Sequence, residues 1–237
     1  NGTRMVAFPA NIGAPDVVLY SRTGRATPGK PTIRVQLSDL LSKTPEAWSI
    51  LCAAWKSDPW PAAVKALGLK TPGPCPRPHL DGELYKHGKT LMDISGASRR
   101  AAKDGDLQFW IFDCFFPELV AGGFEVPSAT RQFFLDTLFS LGGADKPNLG
   151  RVQNIVLDVS PLETPPPEGA LTAMTTQVHA LAAKFLKEGF EGAIVRKNWT
   201  PYKYGTNGYH SSNLIKIKPI HDAEFTVVGY TQGVRGK

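Results

Sequence analysis

The feature that most constrains the fold is a pattern of short apolar segments separated by loops rich in glycine and proline. The chain of 237 residues contains 23 glycines and 20 prolines, together about 18% of the residues against an average near 12%. The best candidate for a membrane span, residues 109–116, is interrupted by Asp113 and falls well short of the ~20 residues that a spanning helix needs. We therefore expect a loop-rich α+β fold of mainly antiparallel strands, with no membrane partner.

Hydrophobic periodicity predicts where the elements lie. Short apolar or alternating segments predict two strands around a turn at 9–15, and further strands at 80–85, 107–112, 152–159, 190–197, 213–218 and 224–230. Helical spacing predicts helices at 38–56, 128–141 and 171–188. Thr44, which precedes a proline, and Ser128 are the expected N-caps, and Gly189 is expected to end the last helix.

Charge and cysteine usage narrow the function classes. The net charge of +6 and the isoelectric point near 9.2 suit a polyanionic partner, although this signal is weak on its own. Cys52, Cys75 and Cys114 are widely spaced and form no Cys-x-x-Cys pair. We therefore expect no disulfide framework and a reducing, intracellular compartment, either cytoplasm or nucleus. The five histidines form no H-E-x-x-H motif, so a zinc site is not expected.

Residues 214–219 alternate strictly between apolar and polar side chains. In a strand this period puts Lys216 and Lys218 on one face, with their Cα atoms about 7 Å apart. Two ammonium groups in this arrangement can bind one phosphate. The alternative is a strand with a solvated lysine face, and the pattern alone leaves both interpretations open.

Two acidic segments are candidates for ligand contact. The period of residues 80–85 puts Asp81, Glu83 and Tyr85 on one face. A carboxylate there can accept hydrogen bonds from a ribose hydroxyl or hold a metal ion, and the alternative is the polar face of an edge strand. Glu191 stands at the mouth of a strand that we expect to be buried.

Aromatic and arginine side chains add further candidates. Phe112 offers a ring that can stack on a base, with plain core packing as the alternative. Arg22 and Arg25 stand in a turn and carry guanidinium groups suited to phosphate.

The order of these segments resembles the motif set of the covalent nucleotidyltransferases, the superfamily of ATP-dependent DNA ligases, RNA ligases and mRNA capping enzymes. Six segments match in order: Asn1-Gly2-Thr3-Arg4, Ser21-Arg22-Thr23-Gly24, Asp81-Gly82-Glu83-Leu84, Phe112-Asp113, Glu191-Gly192-Ala193-Ile194-Val195-Arg196 and Leu214-Ile215-Lys216-Ile217-Lys218-Pro219. The nucleophile motif of the family is Lys-x-Asp-Gly-x-Arg. Asn1 therefore stands where Asp is usual, and the nucleophilic lysine is expected two residues before Asn1. Residues 81–85 and 217–229 most resemble DNA ligases.

The resemblance implies a domain organisation. Residues 1–220 would form a nucleotidyltransferase (ATP-grasp-like) domain of mainly antiparallel sheets flanked by helices. Residues 221–237 would begin an OB-fold domain that is truncated here. The gap between the second and third motifs is long, and we interpret about 30–78 as a helical insertion.

The resemblance also implies a function: an ATP-dependent DNA ligase that seals nicks through lysyl-AMP and DNA-adenylate intermediates, acting as a monomer. Its cofactors would be ATP and Mg²⁺, with Mn²⁺ as an alternative, and its partner nicked double-stranded DNA. The implied roles are catalysis for Lys216 and Lys218; ATP or AMP binding for Arg4, Glu83, Phe112, Arg196, Lys216 and Lys218; 5′-phosphate binding for Arg22 and Arg4; and metal binding for Glu191 and Glu83. An RNA-joining relative and a non-catalytic nucleic-acid-binding relative remain as alternatives.

Overall fold

The computed structural model describes residues 2–9, 16–27, 29–55, 75–99, 106–157, 169–204, 213–219, 224 and 226–229. The strands in these ranges are β1 (Thr3–Pro9), β2 (Val17–Ser21), β3 (His79–Tyr85), β4 (Gln108–Phe115), β5 (Leu149–Arg151), β6 (Ala193–Arg196) and β7 (Leu214–Ile217). The helices are α1 (Pro31–Leu41), α2 (Thr44–Trp55), α3 (Leu91–Arg99), α4 (Pro117–Ala121), α5 (Ser128–Gly142) and α6 (Ala170–Lys187).

The strands form two sheets. The main sheet has the order β2-β1-β3-β4-β5 and is antiparallel except for the β4–β5 pair. Strands β6 and β7 form a separate antiparallel pair. The predicted α+β class with mainly antiparallel strands is therefore confirmed.

Helices α1 and α5 cover one side of the main sheet, and α2 packs against α5. The residues that meet there are fully or almost fully buried: Ala7, Leu19, Leu37, Leu40, Leu51, Leu80, Leu84, Phe109, Ile111, Phe134, Leu135 and Leu138. Full burial of each large side chain stabilises the fold by about 1.5–3 kcal/mol. Helices α1 and α2, which lie in the segment interpreted as an insertion, thus contribute to the main core.

The predicted helix at 38–56 is wrong in its extent. The structure has two helices there, because the chain turns at residues 42–43, where Ser42 Oγ donates to the Asp39 carbonyl. The predicted N-caps are also wrong. Thr44 is the first residue of α2, and its buried hydroxyl has no hydrogen-bond partner among the described residues. Ser128 is the first residue of α5, which has Pro127 in the cap position.

Two predicted strands are wrong. The segment predicted at 152–159 lies after β5, and its residues 152–157 are irregular, with Val156 76% exposed. In the last segment, residue 224 and residues 226–229 form no strand, and Val227 and Val228 are 86% and 97% exposed. Residues 158–159, 225 and 230 lie outside the described ranges.

Helix α6 closely matches its prediction. Met174, Val178, Leu181 and Phe185 form one partly buried stripe, while most of its other described side chains are exposed. The helix ends before Gly189, which has a positive φ of 85°.

Candidate active site

Strands β1, β3 and β4 place three of the predicted site residues beside one another. Arg4 lies opposite Glu83 in the β1–β3 register. The β3–β4 register shifts between Asp81 and Gly82, so that Phe112 has no partner residue. Such a bulge re-aims the side chains of a strand. The Arg4 guanidinium lies 5.9 Å from the centroid of the Phe112 ring, in cation–π contact.

Glu83 is a partly buried carboxylate that accepts no hydrogen bond from any residue the structure describes. Its side chain packs against Gly2, where an added Cβ would lie 2.5 Å from Glu83 Oε2 and 2.9 Å from Glu83 Cβ, so that a side chain at this position would displace the Glu83 carboxylate. Burial raises the pKa of Glu83; the nearby Glu191 carboxylate raises it further, while Lys216 and Arg4 lower it. The negative charge of ionised Glu83 is therefore only partly offset by the described residues around it, and the carboxylate is suited to bind a hydrogen-bond donor or a cation from a ligand.

The β6–β7 pair carries the remaining predicted groups. Lys216 and Lys218 both donate to Glu191 Oε1, at 3.0 and 3.4 Å. Burial raises the pKa of Glu191, but the hydrogen bonds and charges of the two lysines outweigh this and hold it below its ordinary value. The predicted lysine face is thus confirmed. The strand that follows Glu191 is not buried as expected, since Ile194 is 59% exposed.

Gly192 explains how Glu191 comes so close to β7. Its φ is 147°, and an added Cβ would lie 2.0 Å from the Ile217 carbonyl oxygen. A side chain at this position would push the two strands apart. The glycine therefore sets the spacing at which one carboxylate reaches both lysines.

Asp81 anchors the Arg4 side of the site. Arg4 donates to it through Nε at 3.0 Å and Nη2 at 2.6 Å, and the Tyr202 hydroxyl donates at 2.6 Å. The side chain of Asp81 is 1% exposed and that of Arg4 is 44% exposed. The hydrogen bond to Asp81 raises the pKa of Arg4 against the opposing effect of burial. Arg4, predicted as a ligand contact, thus has an internal partner as well.

A second buried carboxylate, Asp113, anchors the other side. Arg131 donates to it through Nε at 2.8 Å and Nη2 at 3.1 Å, and Arg196 forms a second ion pair with it. Gln132 Nε2 adds a bond at 3.4 Å. Asp113 lies opposite Asp81 in the β3–β4 register. Two buried carboxylates therefore hold the cations on the two sides of one site.

The structure thus brings together Arg4, Glu83, Phe112, Glu191, Arg196, Lys216 and Lys218. Arg22 is apart from these contacts. It lies exposed in the turn after β2 and makes no hydrogen bond or ion pair within the described ranges.

Sequence reasoning assigned no partner to Asp81 or Asp113 and did not identify Arg131 or Tyr202. One signal was available. Two aspartates in the middle of apolar strands need cationic partners when buried, and Arg131 is the one basic residue in the otherwise apolar and neutral stretch 126–135.

The described part of the chain contains neither a self-sufficient metal-binding cluster nor a membrane-spanning helix. No three His, Cys, Asp or Glu side chains lie close enough together to hold a metal ion by themselves. None of the described helices has the length and apolar character needed to cross a bilayer.

No protein-family model matches the chain. DNA ligases of two African swine fever viruses, the Namibian warthog isolate and the Badajoz strain, are each 38% identical to it over 237 residues. These matches cover 100% of the chain and 44% of each relative, so the chain spans less than half the length of these curated relatives.

Two solved structures share the fold. A structure named Pmar-Lig_PreS3 matches with a TM-score of 0.59 and 16% identity, covering 92% of this chain and 40% of that one. The ATP-dependent DNA ligase of bacteriophage T7, in complex with ATP, matches with a TM-score of 0.52 and 17% identity, covering 92% and 59%. The predicted nucleotidyltransferase fold and the resemblance to DNA ligases are confirmed.

Proposed function

We propose that this chain, which is related to DNA ligases along its whole length, is the adenylation domain of an ATP-dependent DNA ligase. The observation that carries the proposal is the convergence of Arg4, Glu83 and Phe112 on the main sheet with Glu191 and Lys216 beside β6 and β7. We further propose that residues 1–220 form this domain and that 221–237 begin an OB fold.

The first chemical step requires a nucleophile, which we place two residues before Asn1. The lysine Nζ attacks the α-phosphorus of ATP; the N–P bond forms, the bond to pyrophosphate breaks, and the lysine loses a proton. Lys216 and Lys218 help in two ways. Nearby cations favour the neutral, nucleophilic form of a lysine, and they stabilise the charge that develops on the phosphate oxygens.

Glu191 partly neutralises the charge of these two lysines before the nucleotide binds. Its carboxylate accepts from both ammonium groups, so a phosphate oxygen competes with Glu191 for the same donors. The three side chains carry a net charge of about +1 at neutral pH. The site therefore keeps excess positive charge for the triphosphate.

The nucleoside is bound at the main sheet. Phe112 stacks on adenine, sharing its ring with Arg4, and Glu83, which lacks a described internal donor, accepts hydrogen bonds from the ribose hydroxyls. Arg196 is held by Asp113 at the edge of this region and contacts the nucleotide. Arg4 and Arg22 contact AMP or the 5′-phosphate end of the nucleic acid.

Glu83 and Glu191 fit a magnesium site of the kind that uses one or two carboxylates together with substrate phosphates. The under-compensated charge on Glu83 favours a cation. These two carboxylates would hold Mg²⁺ or Mn²⁺, and the ion would supply positive charge to offset that of the phosphate oxygens.

The substrate is nicked double-stranded DNA. AMP moves from the lysine to the 5′-phosphate at the nick, and the 3′-hydroxyl then attacks that phosphate and displaces AMP. The net charge of +6 suits this polyanion. Binding should weaken steeply with salt, because phosphate contacts release counterions.

The test uses the protein extended to include the residues before Asn1 and after Lys237. Incubation with ATP and magnesium should add one AMP, detected by mass spectrometry. Phe112→Ala should raise the ATP concentration needed for half-maximal labelling, by about 5- to 150-fold for a lost stacking face of ~1–3 kcal/mol. Phe112→Tyr, which keeps the ring, is the matched control.

Three outcomes would overturn the proposal in different parts. If no AMP is added, the adenylation reaction is wrong. If Phe112→Ala behaves like wild type, the stacking role is wrong. If the labelled protein seals nicked RNA but not nicked DNA, the substrate is wrong.

A further inference from the structure

We infer that Tyr202 is a positioning residue whose hydroxyl holds Arg4 in the nucleotide site. The inference rests on the proposed function, because it assigns a role within the same site. Tyr202 lies in the segment that follows β6, outside all six matching motifs.

The side chains of Arg4, Asp81 and Tyr202 form a closed ring of hydrogen bonds. Arg4 Nη2 donates to Asp81 Oδ2 at 2.6 Å and to the Tyr202 oxygen at 3.3 Å. The Tyr202 hydroxyl donates to the same Asp81 oxygen at 2.6 Å. Tyr202 thus contacts both members of the ion pair and restricts the directions in which the guanidinium can lie.

Tyr202 is suited to remain a hydrogen-bond donor. Burial raises its pKa, and the adjacent Asp81 carboxylate raises it further, while Arg4 opposes the shift. The hydroxyl therefore stays protonated at neutral pH.

The Tyr202 ring is itself held on several sides. Its centroid lies 4.5 Å from that of Phe115 and 5.0 Å from that of Tyr204, and the Arg131 guanidinium lies 5.6 Å away. Arg131 also donates to the Thr200 carbonyl at 3.1 Å, which fixes the backbone just before Tyr202. The buried Arg131–Asp113 pair thus supports the tyrosine, and the tyrosine supports Arg4.

Restraint matters for Arg4 because 44% of its side chain is exposed. A long, half-exposed arginine samples many rotamers unless its partners fix it. Arg4 also lies over Phe112, the ring proposed to bind adenine. Displacing the guanidinium should therefore weaken ATP binding more than it slows the chemical step.

The test compares Tyr202→Phe with Tyr204→Phe in the extended protein. Tyr204 packs on the same rings, but its hydroxyl makes no hydrogen bond to a described residue. We expect Tyr202→Phe to raise the KM for ATP in adenylation by about 10-fold, equivalent to ~1.4 kcal/mol, with the saturating rate within about 2-fold of wild type. Tyr204→Phe should behave like wild type.

A double-mutant cycle separates positioning from a purely structural role. If Tyr202 acts through Arg4, adding Tyr202→Phe to Arg4→Lys should raise the KM by less than about 2-fold. A variant that only loosens the fold would lower the melting temperature and leave the KM, measured well below melting, unchanged. Phe115→Leu keeps the Tyr202 hydroxyl but removes an aromatic ring that packs on Tyr202. This variant should raise the KM less than Tyr202→Phe.

The outcomes are distinguishable. If the wild-type protein forms no AMP adduct, the proposed function fails. If it forms the adduct but Tyr202→Phe has the wild-type KM, or if the Arg4 and Tyr202 effects are additive, the positioning role fails. A larger effect of Phe115→Leu than of Tyr202→Phe would also contradict it.

Discussion

Asp81 and Glu83 lie two residues apart on β3 and share the same face, yet their surroundings differ. Asp81 is fully buried and receives two bonds from Arg4 and one from Tyr202. Glu83 is partly buried and receives none within the described residues, and its pKa is raised by burial. The first carboxylate has its internal partners, whereas the second has lost water without gaining a donor from the described residues.

This difference separates a structural carboxylate from a ligand-facing one. Burying a charge is costly unless hydrogen bonds or opposite charges compensate it. Groups that stay under-compensated cluster at functional sites. We therefore propose that Asp81 belongs to the framework of the site and that Glu83 binds the ligand. Asp113, which pairs with Arg131 and Arg196, belongs with Asp81.

The largest loss of stability is expected when Asp113, the second buried carboxylate, is replaced. Asp113→Ala leaves Arg131, whose side chain is 1% exposed, as a buried cation without its carboxylate. The free energy of unfolding should fall by about 3–5 kcal/mol, as measured by urea denaturation. Asp106→Ala, which breaks an exposed pair with Lys86, is the control and should change little. Equal losses in the two variants would remove the distinction between buried and exposed pairs.

Asp81→Asn should have a smaller effect on stability. Arg4 is half-exposed and can turn toward water when its partner is neutralised. Weakening hydrogen bonds to a charged group costs about 1.5–3 kcal/mol, so the urea midpoint should fall by less than in Asp113→Ala. A variant as stable as the wild type would show that Asp81 is not a framework residue.

Glu83→Gln should have the smallest effect on stability, and of opposite sign. The folded-state pKa of Glu83 is raised above its ordinary value of 4.5, so the folded protein binds a proton more tightly than the unfolded chain. Wild-type stability therefore falls as the pH rises through this window, and the loss persists at neutral pH. Glutamine does not titrate, so the stability of the variant relative to wild type should increase from pH 4 to pH 7. If the stability of the variant relative to wild type stays constant or decreases from pH 4 to pH 7, the contrast between Glu83 and Asp81 is wrong.

Part of this site could be predicted from sequence because period two fixes which side chains share a strand face. The alternation of residues 214–219 predicted that Lys216 and Lys218 lie on one face, and both reach Glu191. Residue chemistry also made Glu83 and Phe112 candidates for ribose and base contact, but it left a polar strand face and core packing open as alternatives, and only the resemblance to known motifs assigned the roles of Arg4, Glu83 and Phe112. Local periodicity also predicted helix α6 and its apolar stripe.

The partners of the buried aspartates could not be predicted in this way. Tyr202 lies 121 positions from Asp81 along the chain, and no local pattern links them. The strand predicted at 152–159 failed for a related reason. Its apolar residues suit a strand, but pairing with β4 involves the three residues before them, 149–151, and Val156 stays exposed. Contacts between residues that are distant along the chain can be identified only once the order of the strands in the sheet is known.

The most direct test of the account is the adenylation rate of Glu83→Gln in the extended protein, measured beside its stability. The matched control is Glu118→Gln, whose carboxylate pairs with Arg77 on the surface. We expect Glu83→Gln to be at least as stable as the wild type at pH 7 and to form the AMP adduct about 5- to 150-fold more slowly at limiting ATP, the loss of ~1–3 kcal/mol of ligand binding, while Glu118→Gln reacts normally. A Glu83→Gln protein that is labelled at the wild-type rate would contradict the assignment of Glu83 to the ligand and, with it, the proposed site.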